Sequence, residues 1–159
     1  MSRVDKTSPF YEIFIAVLLI FGAGGLFWVH STWAQNEALV VANGSLSGDV
    51  LSKQDIRAIF LGKKSIVAGD NVVIVTLTEG EVHKDFLKSL VGKTPSQFSS
   101  HWKKIVFTGK GKMPKSFKTE EELLAYLSNT KGGIGYVSSA VSKDPRVQDG
   151  GVKILTVQN

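Results

Sequence analysis

The chain has 159 residues, of which 43% are hydrophobic and 21% charged; after its apolar start this leaves room for one ordinary domain, and a two-lobed architecture does not fit. It has no cysteine, which excludes a disulfide scaffold and a lipid-modified cysteine at the end of a leader. Its formal net charge of +5 points to an anionic ligand or surface.

Residues 13–29 carry no charge, follow Arg3 and Lys6, and precede Thr32-Trp33-Ala34, the small-residue pattern of a cleavage site before Gln35. Residues 1–34 therefore read as a secretory signal. The run is close to the ~17 residues that just span a bilayer, so the alternative is an uncleaved inner-membrane anchor with Trp28 and Trp33 in the interface. Either form delivers residues 35–159 to the periplasm. The leader's Arg3 and Lys6 are offset by Asp5 and Glu12, so the positive excess belongs to the exported part.

Within that part, Glu37 to Ala42 is an apolar run ended by Asn43-Gly44, a strand leaving through a turn. Ser52 is placed to cap a helix whose apolar face is Ile56, Ile59 and Phe60, closed by Gly62. Gly69-Asp70-Asn71 turns the chain into Val72 to Leu77, a continuously apolar strand suited to the centre of a sheet covered on both faces. Glu81 to Val91 carries Val82, Phe86, Leu87 and Leu90 at helical spacing, with Gly92 as its stop.

Thr94-Pro95 is a cap with a first-turn proline, opening a helix with the stripe Phe98, Trp102, Ile105 and Val106 that ends at Gly109. Lys110 to Lys118 reads as a basic loop. Thr119 to Glu122 is a capping box over Leu123, Leu124, Tyr126 and Leu127. A strand at Ile134 to Val137, turns at Asp144-Pro145 and Asp149-Gly150-Gly151, and a terminal strand from Val152 to Val157 complete the series. Strands alternating with helices give an α/β class with parallel pairs.

Two distant segments carry a family resemblance. Leu51-Ser52-Lys53-Gln54-Asp55-Ile56-Arg57-Ala58-Ile59-Phe60-Leu61-Gly62 and Gly132-Gly133-Ile134-Gly135-Tyr136-Val137 resemble the "ls-x-x-dl-x-x-IF-x-G" and "GaIGYv" stretches of the phosphate-binding proteins that serve ABC importers. The resemblance runs from about Ala38 to Val157 and corresponds to one lobe of those proteins. It implies a single lobe of the type II periplasmic-binding-protein fold over residues 35–159, a central mixed sheet flanked by helices. It also implies a non-enzymatic role in binding phosphate or another inorganic anion, or association with ABC-type anion transport, with a membrane transporter as partner.

In open α/β sheets, ligands bind beyond the carboxyl ends of strands, which directs attention to Thr76 to His83. There the family pattern resembles "R-x-D-x-S-G-T", and its arginine falls on Thr76, its aspartate on Thr78, its serine on Gly80, its glycine on Glu81 and its threonine on Val82. The expected anion site is a shallow one at Thr76, Thr78 and Gly80. Loss of the arginine removes the charge-assisted bonds, each worth about 1.5–3 kcal/mol. Two copies facing one another as a homodimer would supply a second wall.

The remaining candidates point elsewhere. Gly92-Lys93-Thr94 lacks the earlier glycine of a phosphate-binding loop, since Leu87 stands there. Glu79, Glu81 and His83 could share a strand face as metal ligands, but acidic residues entering a helix are expected from its dipole, so no metal site is assigned. Neither His83 nor His101 belongs to a nucleophile motif, so neither catalysis nor a cofactor is expected. The lysines at 103, 104, 110, 112, 115 and 118 are the densest positive region; export argues against nucleic acid. The second functional expectation is a non-enzymatic periplasmic interaction or assembly module that keeps the lobe as scaffold and meets a protein partner through Lys110, Lys112 and Lys115.

Overall fold

Residues 37–159 are described by the computed structural model; the leader or anchor expected over residues 1–34 lies outside them. In chain order the strands are β1 (Ala38–Asn43), β2 (Val50–Ser52), β3 (Ile66–Val67), β4 (Asp70–Asn71), β5 (Val73–Leu77), β6 (Lys115–Phe117), β7 (Gly133–Ser138), β8 (Val152–Ile154) and β9 (Thr156–Gln158). The helices are α1 (Lys53–Phe60), α2 (Glu81–Phe86, extended by a π turn over Leu87–Val91), α3 (Pro95–Phe107), α4 (Glu120–Ser128) and α5 (Pro145–Gln148). No described helix is long and apolar enough to cross a membrane.

The main sheet has the order β6-β5-β7-β1-β8. Strand β5 runs parallel to β6 and β7, whereas β1 runs antiparallel to β7 and β8, so the sheet is mixed, as the resemblance implied. Two short pairs lie outside it: β2 with β9, and the hairpin of β3 and β4. The terminal strand expected over Val152 to Val157 is divided at Leu155, its first half joining the main sheet and its second half joining β2.

The centre of the sheet is β7, buried along its whole length, and not the apolar run before Leu77. β5 lies one place from the edge, and Val73 at its start is exposed. The glycines of β7 explain why that strand can be central. A Cβ on Gly135 would lie 3.2 Å from Leu123 Cδ2 and 3.4 Å from Leu127 Cδ1, so its absence lets α4 settle onto that face. Tyr136, on the opposite face, stacks on Phe86 at 3.8 Å between ring centroids and tilts against Phe60 at 5.8 Å. Each such aromatic pair adds about 0.5–1.5 kcal/mol beyond the area it buries. Helices thus cover both faces.

Local capping sets the helix starts. The Ser52 hydroxyl accepts from the Asp55 N–H at 3.0 Å. At α3, Gln97 N–H donates to Thr94 Oγ1 and Thr94 N–H donates to Gln97 Oε1, at 3.2 and 3.0 Å, a complete capping box with Pro95 in the first turn. At α4 only half of the expected box forms: Thr119 accepts from Glu122 N–H, and the Glu122 carboxylate accepts from Lys118 N–H instead. The apolar stripe of α3 is narrower than its spacing suggests, because Val106 faces solvent and Phe107 is 94% exposed.

Candidate functional site

The carboxyl end of β5 opens, beside β6 and the segment leading into it, onto a pocket of about 210 Å³. This is below the ~300–1,000 Å³ of sites for drug-sized ligands, which restricts the occupant to a small one. Its floor is Thr76 and Thr78 from the end of β5 and Ser116 from β6; its far wall is the first two turns of α3, through Pro95, Phe98, Ser99 and Trp102; Met113 and Pro114 close the rim and His83 comes from α2.

That wall is fixed by an exchange between two helices. The last carbonyls of a helix lack intrahelical donors, and here side chains of α3 supply them: Trp102 Nε1–H donates to the Phe60 carbonyl at 3.1 Å, and His101 Nε2 lies 3.0 Å from the Leu61 carbonyl. Gly62, at φ +68°, leaves room for the indole; a Cβ there would meet Trp102 Cη2 at 2.9 Å. The Leu51 to Gly62 segment therefore positions one side of the pocket.

The floor is a hydroxyl pair. Thr76, almost wholly buried, places Oγ1 2.8 Å from Ser116 Oγ. The Thr78 N–H is already engaged by the Phe117 carbonyl at 2.8 Å, leaving its side chain as its contribution. At the back, the Leu77 N–H donates to Tyr136 Oη at 3.1 Å, and Tyr136 Oη lies 2.5 Å from His83 Nδ1. Burial pushes the Tyr136 phenol up and the His83 imidazolium down from their ordinary pKa values. Both groups are therefore neutral at pH 7.

Of the three residues expected to bind an anion, the structure brings Thr76 and Thr78 together in the pocket. Gly80 is not among its lining; it caps α2 at φ +105°. Ser99, Ser116 and His83 are lining groups that the sequence did not single out for the site. For His83 a signal existed, because it falls three residues before Phe86 and four before Leu87, on the buried stripe of its helix.

The three lysines line a neighbouring hollow of about 420 Å³, together with Lys64, Ile74 and Ile105. The two hollows share Trp102, Met113 and Pro114. The segment expected as a loop contains β6, and Lys115 lies on that edge strand, with its ammonium 4.1 Å from the Tyr126 ring centroid and 5.4 Å from that of Phe117. Lys64 is held by Asp55 at 2.7 Å. Among the described residues, no lysine or arginine lines the smaller pocket.

Comparison with solved structures agrees with this architecture. The chain is similar to an ABC-type phosphate transport receptor from Vibrio cholerae (TM-score 0.56, 16% identity, covering 76% of this chain and 46% of that one). It is similar in the same degree to PstS from Borrelia burgdorferi (TM-score 0.56, 18% identity, 77% and 47%). The chain therefore has the fold of one portion of the phosphate ABC transporter substrate-binding proteins, and it spans less than half the length of these solved relatives. No protein-family model matches the sequence, and no curated protein matches it.

Proposed function

We propose that the protein is a periplasmic, non-enzymatic binding module of the phosphate-receptor fold that takes a small inorganic oxyanion, phosphate or a relative of it, in the pocket at the carboxyl end of β5, beside β6. The observation that carries this proposal is the position and lining of that pocket: hydroxyls of Thr76, Thr78, Ser99 and Ser116 around about 210 Å³ at the end of parallel strands, where open α/β sheets hold their ligands. The names of the fold's solved relatives support the ligand class and an ABC-type transporter as partner.

The lining also sets the strength of binding. Hydrogen bonds from neutral hydroxyls to an anion contribute about 1.5–3 kcal/mol each, and with no lysine or arginine in the lining three of them at the lower end give a dissociation constant on the order of 1 mM. A thermal-shift series with phosphate, sulfate, molybdate and polyphosphate, against chloride at matched ionic strength, tests this. Saturating ligand at a hundred times its dissociation constant adds ~2.7 kcal/mol, a shift of several degrees. No shift with any of the four removes the oxyanion assignment.

A second function rests on a separate observation. Phe107 is 94% exposed near the end of α3, a few residues before Lys110 and Lys112, a pairing of aromatic and basic groups suited to an acidic protein partner. In this form the lobe is a scaffold for assembly. Partner recovery that is lost on changing Lys110, Lys112 and Lys115 to Glu, with anion response unchanged, selects it.

A further inference from the structure

Resting on the oxyanion proposal, we infer that His83 is a ligand-contacting donor of this pocket, presenting Nε2–H to the anion, and that Tyr136 is the positioning residue that fixes this tautomer. The deduction begins with proton counting. Tyr136 Oη accepts from the Leu77 N–H, so its own proton has one acceptor within reach, His83 Nδ1 at 2.5 Å. The arrangement that leaves no buried donor orphaned has Nδ1 bare and the ring proton on Nε2.

The exposure pattern says where that proton points. His83 is only 6% exposed, and its one side-chain hydrogen bond is through Nδ1. Among the described residues, no buried side-chain nitrogen or oxygen lacks a partner. Among the described residues Nε2 has no partner, so Nε2 is an atom through which this buried residue meets the pocket it lines. A buried side chain with one bound end and one free end, lining a cavity that also holds Thr76, Thr78, Ser99 and Ser116, has the form of a recognition element.

The imidazole also stands where charge is otherwise missing. Pro95, Phe98, Ser99 and Trp102 of α3, and Met113, Pro114 and Ser116, bring no titratable side chain to the lining; Lys115, between them in sequence, holds its ammonium over the Tyr126 and Phe117 rings. The phenol of Tyr136 is the titratable group against the ring, and the Glu81 and Lys84 side chains of its own helix pair with each other at 2.6 Å in solvent. As pH falls and His83 protonates, the pocket gains its one positive charge. A second proton on the ring must then donate to Tyr136 Oη, whose own proton loses its acceptor, so the anion and the tyrosine oppose each other in setting the titration.

The test uses the full chain in the processed form the cell leaves it, with sulfate as probe because it remains a dianion from pH 5 to 8. His83→Asn keeps a Tyr136 acceptor at the Nδ1 position and withdraws Nε2; sulfate affinity at pH 7.5 falls at least tenfold, and the strengthening seen in the wild type at pH 5.5 disappears. Tyr136→Phe leaves the histidine in place, and long-range proton–nitrogen correlation of the ring then shows a mixture of tautomers where the wild type shows Nε2–H alone, with sulfate bound more weakly. Sulfate binding by His83→Asn equal to wild type, with the same pH profile, overturns this inference and leaves the oxyanion site. A wild type that responds to neither sulfate nor inorganic phosphate overturns both together.

Discussion

Gly132 and Gly109 offer a controlled measurement of how closely the start of β7 approaches its neighbour. Both have a left-handed backbone, at φ +72° and +68°, which costs an L residue about 1–2 kcal/mol. An alanine Cβ at Gly109 would meet nothing within 4 Å, whereas at Gly132 it would lie 2.0 Å from the Asn71 carbonyl oxygen. Carbon and oxygen meet at about 3.3 Å, so β4 must retreat by roughly 1.3 Å. That retreat strains the 2.9 Å hydrogen bond from Val73 N–H to the Gly132 carbonyl, which sits where β5 joins β7. Adding about 1 kcal/mol for the bond and about 1–2 for repacking, Gly132→Ala should lose about 3–5 kcal/mol and Gly109→Ala about 1–2. In urea, with a slope of about 1.5–2 kcal/mol per M, the midpoints should differ by more than about 1 M. Equal losses in the two variants would refute the close approach and leave only the backbone term.

Phe60→Ala should cost about 3–5 kcal/mol, read by the same unfolding curves, because its fully buried ring packs edge-on against Phe86 at 4.7 Å. His83 is held neutral by burial, so the unfolded chain binds the extra proton more readily; stability should be level above about pH 6.5 and decline as pH falls below it, a decline that differential scanning calorimetry should find reduced in His83→Asn. The triple change of Lys110, Lys112 and Lys115 to Glu should leave the midpoint within about 1 kcal/mol of wild type, because exposed charges contribute little, with a small loss from the Lys115 cation–π contacts. Export should end in cleavage after Ala34, and mass spectrometry of periplasmic and membrane fractions decides between that and a retained anchor.

The parts of the fold that local chemistry dictates were legible in the residues. Ser52, Thr94 and Thr119 cap the three principal helices as their spacing requires, and the glycine-rich Gly132 to Gly135 stretch marked a strand in close backbone contact. The order of strands was not, because an apolar run such as Val72 to Leu77 registers burial but not which neighbours supply it. Likewise Lys115 to Phe117 carries no strand signature of its own; it becomes a strand because β5 offers it a free edge. Two floor residues of the pocket were found from the strand-end rule, yet Ser116 and Ser99 arrive from 40 and 23 positions beyond Thr76, a proximity set by the helix crossover. His83 was overlooked as a pocket residue because its role depends on a tyrosine 53 positions away.

The first strand of the sheet is also among the last to find its partners. β1 lies between β7 and β8, pairing Ala42 with Ile134 and with Lys153. A chain made at about 5–20 residues per second must wait on the order of ten seconds between finishing β1 and producing β7. Throughout that interval Leu39 to Ala42 is an apolar segment with neither of its strand partners, and only the helices at residues 81–86 and 120–128 can cover it as they appear. A sheet that cannot close until its carboxyl-terminal strands exist gains its full stability only once both ends of the domain have been made.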